Sequence, residues 1–96
     1  MNEDNRTWIE KKIDRAHTYM NDIDDATTIR ESYMLMGMAK EAMLTAFAWI
    51  LDNNVDATIQ NISDMCYTID RCRRNDIITG DEATYFTAKL EKLMYG

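Results

Sequence analysis

Few residues in this chain are of the types that catalyse reactions or hold metal ions. His17 is the only histidine, so no pair of histidines can form a metal site within one chain. Cys66 and Cys72 are six positions apart, a spacing that zinc sites do not use and that, on one helix, keeps the thiols out of disulfide reach. A cysteine–histidine nucleophile is formally possible, but a histidine beside Ala16 on a helix is usually exposed or at a rim. We therefore predict no enzyme, no bound metal and no cofactor.

A partial calcium-loop pattern begins at Asp52. Asp52, Asn54 and Asp56 match the first three ligand positions of an EF-hand loop. Ala57 stands where the sharp turn requires glycine, and Ser63 stands where a bidentate glutamate should close the site. The pattern therefore favours a junction between two helices, which Asp and Asn commonly form.

A stripe of aromatic and cationic residues runs along the first predicted helix. Trp8, Lys12, Arg15 and Tyr19 are separated by four, three and four positions, so they share one side of that helix. Trp, Tyr and Arg contribute most of the binding energy in many protein interfaces. The stripe therefore indicates a protein-binding surface, and the alternative is a partly buried Trp and Tyr with solvated cations beside them.

Methionines and carboxylates extend this candidate surface. Met34 and Met38 lie on the side of the second helix opposite its core residues, where flexible thioethers are free to contact a partner. The turn after the first helix carries acidic residues that either imitate nucleic-acid phosphates or only keep the protein soluble. These acidic residues are Asp22, Asp24 and Asp25.

Apolar periodicity and capping signals predict four helices, over roughly 7–22, 26–52, 55–74 and 79–95. The segments Thr7 to Glu10, Thr28 to Glu31 and Thr79 to Glu82 have the spacing of capping boxes, in which side chains bind the free amides of a helix start. Short connections favour antiparallel neighbours. We therefore predict an all-α fold, a single-domain antiparallel helical bundle over residues 1–96 with a buried central second helix.

The second helix is the most apolar element. Between Tyr33 and Leu51 only Lys40 and Glu41 carry charge. A helix that is apolar all round must be surrounded by protein, so we expect the other helices to enclose it, with help from a second subunit if the protein is a homodimer. Internal charges and Gly37 make it a poor membrane span. The predicted core stripe is Ile29, Tyr33, Met36, Met43, Phe47 and Ile50.

Net charge restricts the partners. Seventeen acidic against eleven basic residues give a net charge of −6, which opposes direct nucleic-acid binding and favours a basic protein partner. The first residues are polar and lack the apolar stretch of a secretory signal. We therefore expect a cytoplasmic protein that contacts no membrane and whose cysteines stay reduced.

In size, acidity and lack of catalytic motifs, the chain resembles the small accessory proteins of bacteriophages and other mobile elements, including anti-CRISPR inhibitors. The resemblance implies a protein that blocks a host defence nucleoprotein complex, with carboxylates such as Asp14 and those of the turn engaging a basic channel. Two alternatives stay open. One is an oligomeric sponge that holds a signalling nucleotide through Arg30, Lys40 or the arginines near residue 73. The other is a structural or regulatory homodimer.

Overall fold

The number and order of the helices follow the sequence pattern. The computed structural model describes residues 2–52 and 57–95, with side chains from residue 8 onward. Over these residues the chain forms four α-helices and no strand. The helices are α1 (Asn2–Ile23), α2 (Ile29–Asp52), α3 (Ile59–Arg74) and α4 (Gly80–Tyr95). The predicted all-α bundle of about four helices is therefore confirmed.

The bundle consists of an α1–α2 hairpin against which α3 packs, with α4 lying mainly on α3. A short turn joins α1 to α2, and these two form the most extensive helix pair of the bundle. α3 lies against both helices of this hairpin, and α4 packs on α3 and touches α2. α2 contacts each of the other three helices, and so does α3. Only one side of α2 is buried, so the predicted enclosure of this helix on all sides is wrong.

The core is built from the apolar stripes that the spacing predicts. On α1 the residues at intervals of four and three are fully or almost fully buried. The buried alanines of α2 are small enough to let a neighbouring helix approach closely, and the larger buried side chains fill the remaining space. The buried apolar residues are Ile9, Ile13, Ala16, Met20, Ala39, Ala42, Met43, Ala46, Phe47, Ile50, Ile62, Met65, Ile69, Cys72, Ile77, Ile78, Ala83 and Leu90.

Two of the three predicted capping segments act at helix starts. The Thr79 amide donates to Glu82 Oε1 at 2.9 Å, and the Glu82 amide donates to Thr79 Oγ1 at 3.1 Å, which is a complete capping box at α4. At α2 the Glu31 amide donates to Thr28 Oγ1 at 3.1 Å. Thr28 therefore caps α2, which begins at 29 and not at the predicted 26.

The other two helix starts differ from the prediction. α1 begins at Asn2, so Thr7 lies inside the helix and does not cap it. Capping spacing states a local preference, and it has no effect where the preceding polar residues continue the helix. α3 begins at Ile59 and not at 55, because Thr58 forms a capping box with Asn61. Asn61 occupies the N3 position, where the usual capping-box pattern has Glu or Gln. Val55 lies outside the described residues.

The end of α3 sets the direction of α4. Asp76 adopts a left-handed conformation with φ of 60°. The Asp76 amide donates to the Arg73 carbonyl at 3.0 Å, and the Ile77 amide donates to the Cys72 carbonyl at 2.9 Å. This pattern is a Schellman motif, in which the next apolar residue, here the buried Ile77, packs back on the helix.

Two predicted core residues in the first turns of α2 are exposed, which corrects part of the predicted core stripe. Ile29 and Tyr33 have exposed fractions of 75% and 68%. α4 covers α2 only farther along the helix, where the Phe47 and Phe86 rings lie 4.8 Å apart between centroids. α4 begins beside Lys40, whose charge helps to lower the pKa of Glu82 after the amide hydrogen bond from Thr79. The beginning of α2 therefore extends past the start of α4 and is left uncovered by it.

Of the described residues, only α2 forms a helix whose length and apolar composition would suit a membrane span. A core helix of a bundle passes the same test. One side of α2 is buried against three other helices, so the structure gives no clear transmembrane protein.

Candidate protein-binding face

The predicted aromatic and cationic stripe lies along the side of α1 next to its buried stripe. Trp8 is 42% exposed, and the Lys12 Nζ lies 4.8 Å from the centroid of its ring. At this distance an ammonium group interacts favourably with the indole face. Arg15 is exposed, and Tyr19 is partly buried against the core. We call these four residues the α1 ridge.

α2 supplies the other side of this surface. A small cavity of about 130 Å³ separates the α1 ridge from α2, where Met38, Glu41 and Ala42 line it together with Lys12, Arg15 and Tyr19. Met38 is 39% exposed, so its thioether is accessible beside the ridge. We call the α1 ridge and Met38 together the binding face.

A larger, open groove adjoins the binding face. Its volume is about 580 Å³, and it runs along α2 from Gly37 to Asp52 with Trp8 of α1 beside it. The remaining lining residues are Lys40, Glu41, Leu44, Thr45, Ala48 and Trp49. Most of this lining is apolar or small, which suits contact with a protein surface better than recognition of a polar substrate.

The structure places both predicted methionines at the surface. Met34 is 59% exposed and lies one helical turn before Met38 on α2. Met36 and Met43 face the other way, with Met43 fully buried and Met36 packed against the core. The predicted division between core and outward methionines therefore matches their burial, and their role in binding stays a prediction.

The acidic residues lie in and beside the exposed turn between α1 and α2. Asp22, Asp24 and Asp25 are all exposed. The Asp24 amide donates to the Asn21 carbonyl, and the Asp25 amide donates to the Asp22 carbonyl, so the turn is held by its backbone. Among the described residues, none of these three carboxylates forms an ion pair. We call them the acidic turn, and their side chains are available to a cationic partner.

The arginines at the end of α3 are already engaged by neighbouring side chains. Arg73 Nη2 and Arg74 Nε bind the two oxygens of Asp70 at 3.1 and 2.9 Å. Hydrogen bonds and charge from these arginines lower the pKa of Asp70. Arg71 instead reaches α1. These contacts, together with the favourable position of cations in a last helical turn, explain the cluster without a phosphate ligand.

A polar network that the sequence did not predict joins α1 to α3 through His17. Arg71 Nη1 lies 2.9 Å from His17 Nδ1, and His17 Nε2 lies 2.9 Å from Thr68 Oγ1. The Thr68 hydroxyl donates to the Asp64 carbonyl at 2.7 Å, and Arg71 Nη2 donates to Asn21 Oδ1 at 2.6 Å. We call this set the His17 network.

The hydrogen-bond donors in this network define the protonation state of His17. Because a guanidinium can only donate, His17 Nδ1 must accept from Arg71. Because the Thr68 hydroxyl donates its hydrogen bond to the Asp64 backbone carbonyl, its oxygen accepts from the His17 Nε2–H. His17 is therefore neutral, and burial followed by the charge of Arg71 lowers its pKa. Its partly buried position matches the predicted rim histidine, but its bridging role depends on a helix pairing that spacing cannot reveal.

The cysteines are free, as predicted. Burial raises the pKa of Cys72 to about 11, and its Sγ lies 3.9 Å from the Met20 sulfur in the core. Burial, followed by the charge of Glu91, also raises the pKa of Cys66. Since a nucleophilic cysteine needs a thiolate at neutral pH, and His17 is bound by Arg71 and Thr68, these groups do not form a Cys–His pair.

The described part of the chain holds no group of three His, Cys, Asp or Glu side chains placed to bind a metal ion. Asn54 and Asp56 of the partial calcium loop lie outside the described residues, so that pattern stays untested.

Comparison of the chain with protein-family models, with curated proteins and with solved structures gave no match. We therefore infer the function from the geometry of the binding face and the acidic turn.

Proposed function

We propose that this protein is a small protein-interaction module that occupies a macromolecular partner, as a phage-type, anti-CRISPR-like inhibitor of a host defence nucleoprotein complex does. The observation that carries the proposal is the binding face, where Trp8 is exposed beside Lys12 and Arg15 and Met38 lies next to them on α2. Interface cores are enriched in Trp, Met and Arg relative to other surfaces. This composition supports a protein as the partner.

The acidic turn supplies the electrostatic part of the proposed mechanism. Asp22, Asp24 and Asp25 are exposed, form no ion pair with the described residues, and belong to a protein with net charge −6. A basic channel that normally holds nucleic acid would attract such a surface, and added salt would weaken the complex. The proposal places the protein in the cytoplasm with such a complex, where free cysteines also stay reduced.

The test is a pull-down from nuclease-treated bacterial lysate that contains candidate defence complexes, at moderate and at high salt. We expect stoichiometric recovery of a nucleoprotein effector, and loss of that recovery in Trp8→Ala. The triple variant Asp22→Asn, Asp24→Asn and Asp25→Asn should also lose binding and inhibition.

A matched control separates local mimicry from bulk charge. The variant Glu10→Gln, Asp81→Asn and Glu91→Gln removes the same charge from exposed positions outside the acidic turn. This control should bind normally. Full inhibition by the acidic-turn variant would contradict phosphate mimicry. If the tagged protein is recovered without any bound complex from every lysate, the inhibitor proposal is contradicted.

Two side chains of the open groove support one alternative function, the nucleotide sponge. Lys40 and Trp8 both line it, so a phosphate and a stacked base have partners there. The arginines near residue 73 contribute less to this alternative, because Asp70 and the His17 network engage them. A sponge would gain thermal stability with a cyclic dinucleotide, whereas a protein blocker would melt at an unchanged temperature.

A further inference from the structure

The outward side of α2 carries a stripe that no other part of the described chain covers. Its positions follow one another at intervals of three and four, which keeps them on one face of the helix. All are exposed except Leu44, which is partly buried. We define the outward stripe as Arg30, Met34, Gly37, Glu41, Leu44, Ala48 and Asp52.

This stripe has the composition of a helix-packing surface. Gly37 has no atom within 4 Å of the place where a Cβ would stand, so its backbone is open to close approach. Ala48 is small and exposed, whereas Met34 provides a large flexible side chain. Small and large side chains at such spacing let two helices interlock.

The charges of the stripe are ordered symmetrically. Arg30 is near the start of α2, Asp52 is at its end, and Glu41 lies midway, eleven positions from each. In an antiparallel pair of α2 helices with a two-fold axis near Glu41, Arg30 of each copy faces Asp52 of the other. The same register sets Met34 against Ala48, a large side chain against a small one. An interface in which the same patch of both subunits is self-complementary is called isologous.

We propose that the outward stripe binds the same stripe of a second copy of this protein, as an antiparallel two-fold pair of α2 helices. Trp8 lines the same groove as Ala48 and Asp52, so it adds to the contact at that end. Glu41 lies near its counterpart at the axis, where Lys12 and Arg15 line the adjoining cavity and offset the two negative charges. The dimer contact includes part of the α1 ridge, but it is inferred from the outward stripe and does not depend on the proposed inhibitor function.

The dimensions of the stripe set the expected affinity. The 24-residue α2 is about 36 Å long, and a strip one helix diameter wide from each copy buries roughly 800 Å² in total. This area is at the low end for specific interfaces. The dimer should therefore form at high protein concentration and dissociate on dilution.

Sedimentation velocity over a wide concentration range tests the proposal with a charge exchange. Arg30→Glu alone and Asp52→Arg alone should each weaken dimerisation by at least about tenfold, because each places like charges in contact at both ends. The double variant Arg30→Glu, Asp52→Arg restores opposite charges and should return the dissociation constant to within about threefold of the native value. Glu41→Gln should strengthen the dimer by removing the repulsion at the axis.

Glu10→Arg is the matched control, because it makes the same charge change as Asp52→Arg at an exposed position on α1. It should leave the dimer unchanged. All substituted positions are exposed, and circular dichroism verifies that each variant stays helical. A native protein that is monomeric at every concentration would overturn the proposal, and so would a double variant that dimerises no better than the single ones.

Discussion

Stability should fall on acidification because of one histidine. His17 accepts a hydrogen bond from Arg71 through Nδ1, and protonation would both remove that acceptor and place a second positive charge 2.9 Å from the guanidinium. Burial and the charge of Arg71 lower its pKa below the ordinary value of 6.5, while Asp14 and Asp64 raise it by a smaller amount. Tyr67, the other titratable group beside the ring, stacks on it at 5.6 Å between centroids.

The lowered pKa determines the direction of the effect. As the pH falls, the unfolded chain takes up a proton on His17 before the folded protein does, so acidification favours unfolding. The stabilising contribution of His17 is complete above pH 6.5 and is lost as the pH falls through the lower pKa of the folded protein. Because His17 is the only histidine, its substitution removes the whole histidine contribution to this loss of stability.

The substitution His17→Ala gives the size of the effect. It removes the bonds to Arg71 and Thr68, and at about 1 kcal/mol for each bond the free energy of unfolding at neutral pH should fall by about 2 kcal/mol. For a domain of this size the melting temperature should then fall by about 10 °C. In the same variant the change of stability between about pH 7.5 and about pH 5.5 should be smaller than in the native protein.

Urea unfolding followed by circular dichroism at these pH values measures both quantities. Lys11→Ala on the exposed side of α1 is the control and should keep the native pH dependence. If the native protein and His17→Ala lose equal stability on acidification, the carboxylates cause the loss and the neutral, bridging histidine is refuted.

Three further predictions concern the helix ends and the exposed start of α2, each measured by urea unfolding. Thr79→Ala removes the capping hydroxyl of α4 and should cost about 1 kcal/mol, and an unchanged stability would show that the cap is dispensable. Asp76→Gly relieves the positive φ after α3 and should stabilise by about 0.5–1 kcal/mol, whereas a loss would mean that the aspartate side chain has a favourable role. Tyr33→Ser at low protein concentration should change the free energy of unfolding by less than about 0.5 kcal/mol, because Tyr33 is exposed. Leu90→Ala in the core should lower it by about 2–5 kcal/mol, and an equal loss in both variants would place Tyr33 in the core.

The local features were predictable because neighbouring residues determine them. The Thr79 capping box forms from the Thr79 and Glu82 side chains and the adjacent amides, so its spacing predicts it correctly. The buried stripe of α1 likewise follows from helical periodicity. Thr7 shows the limit of capping patterns, because α1 begins at Asn2 and the pattern at Thr7 does not mark the start of the helix.

By itself the sequence determined the four helices, most of their apolar sides, the outward position of Met34 and Met38, and the net charge. Only the tertiary structure decided that Tyr33 extends past the start of α4 and that His17 meets Arg71, because both depend on how far one helix reaches along another. Periodicity describes the direction in which a side chain points from its helix axis, and it carries no information about the length over which a neighbouring helix covers it.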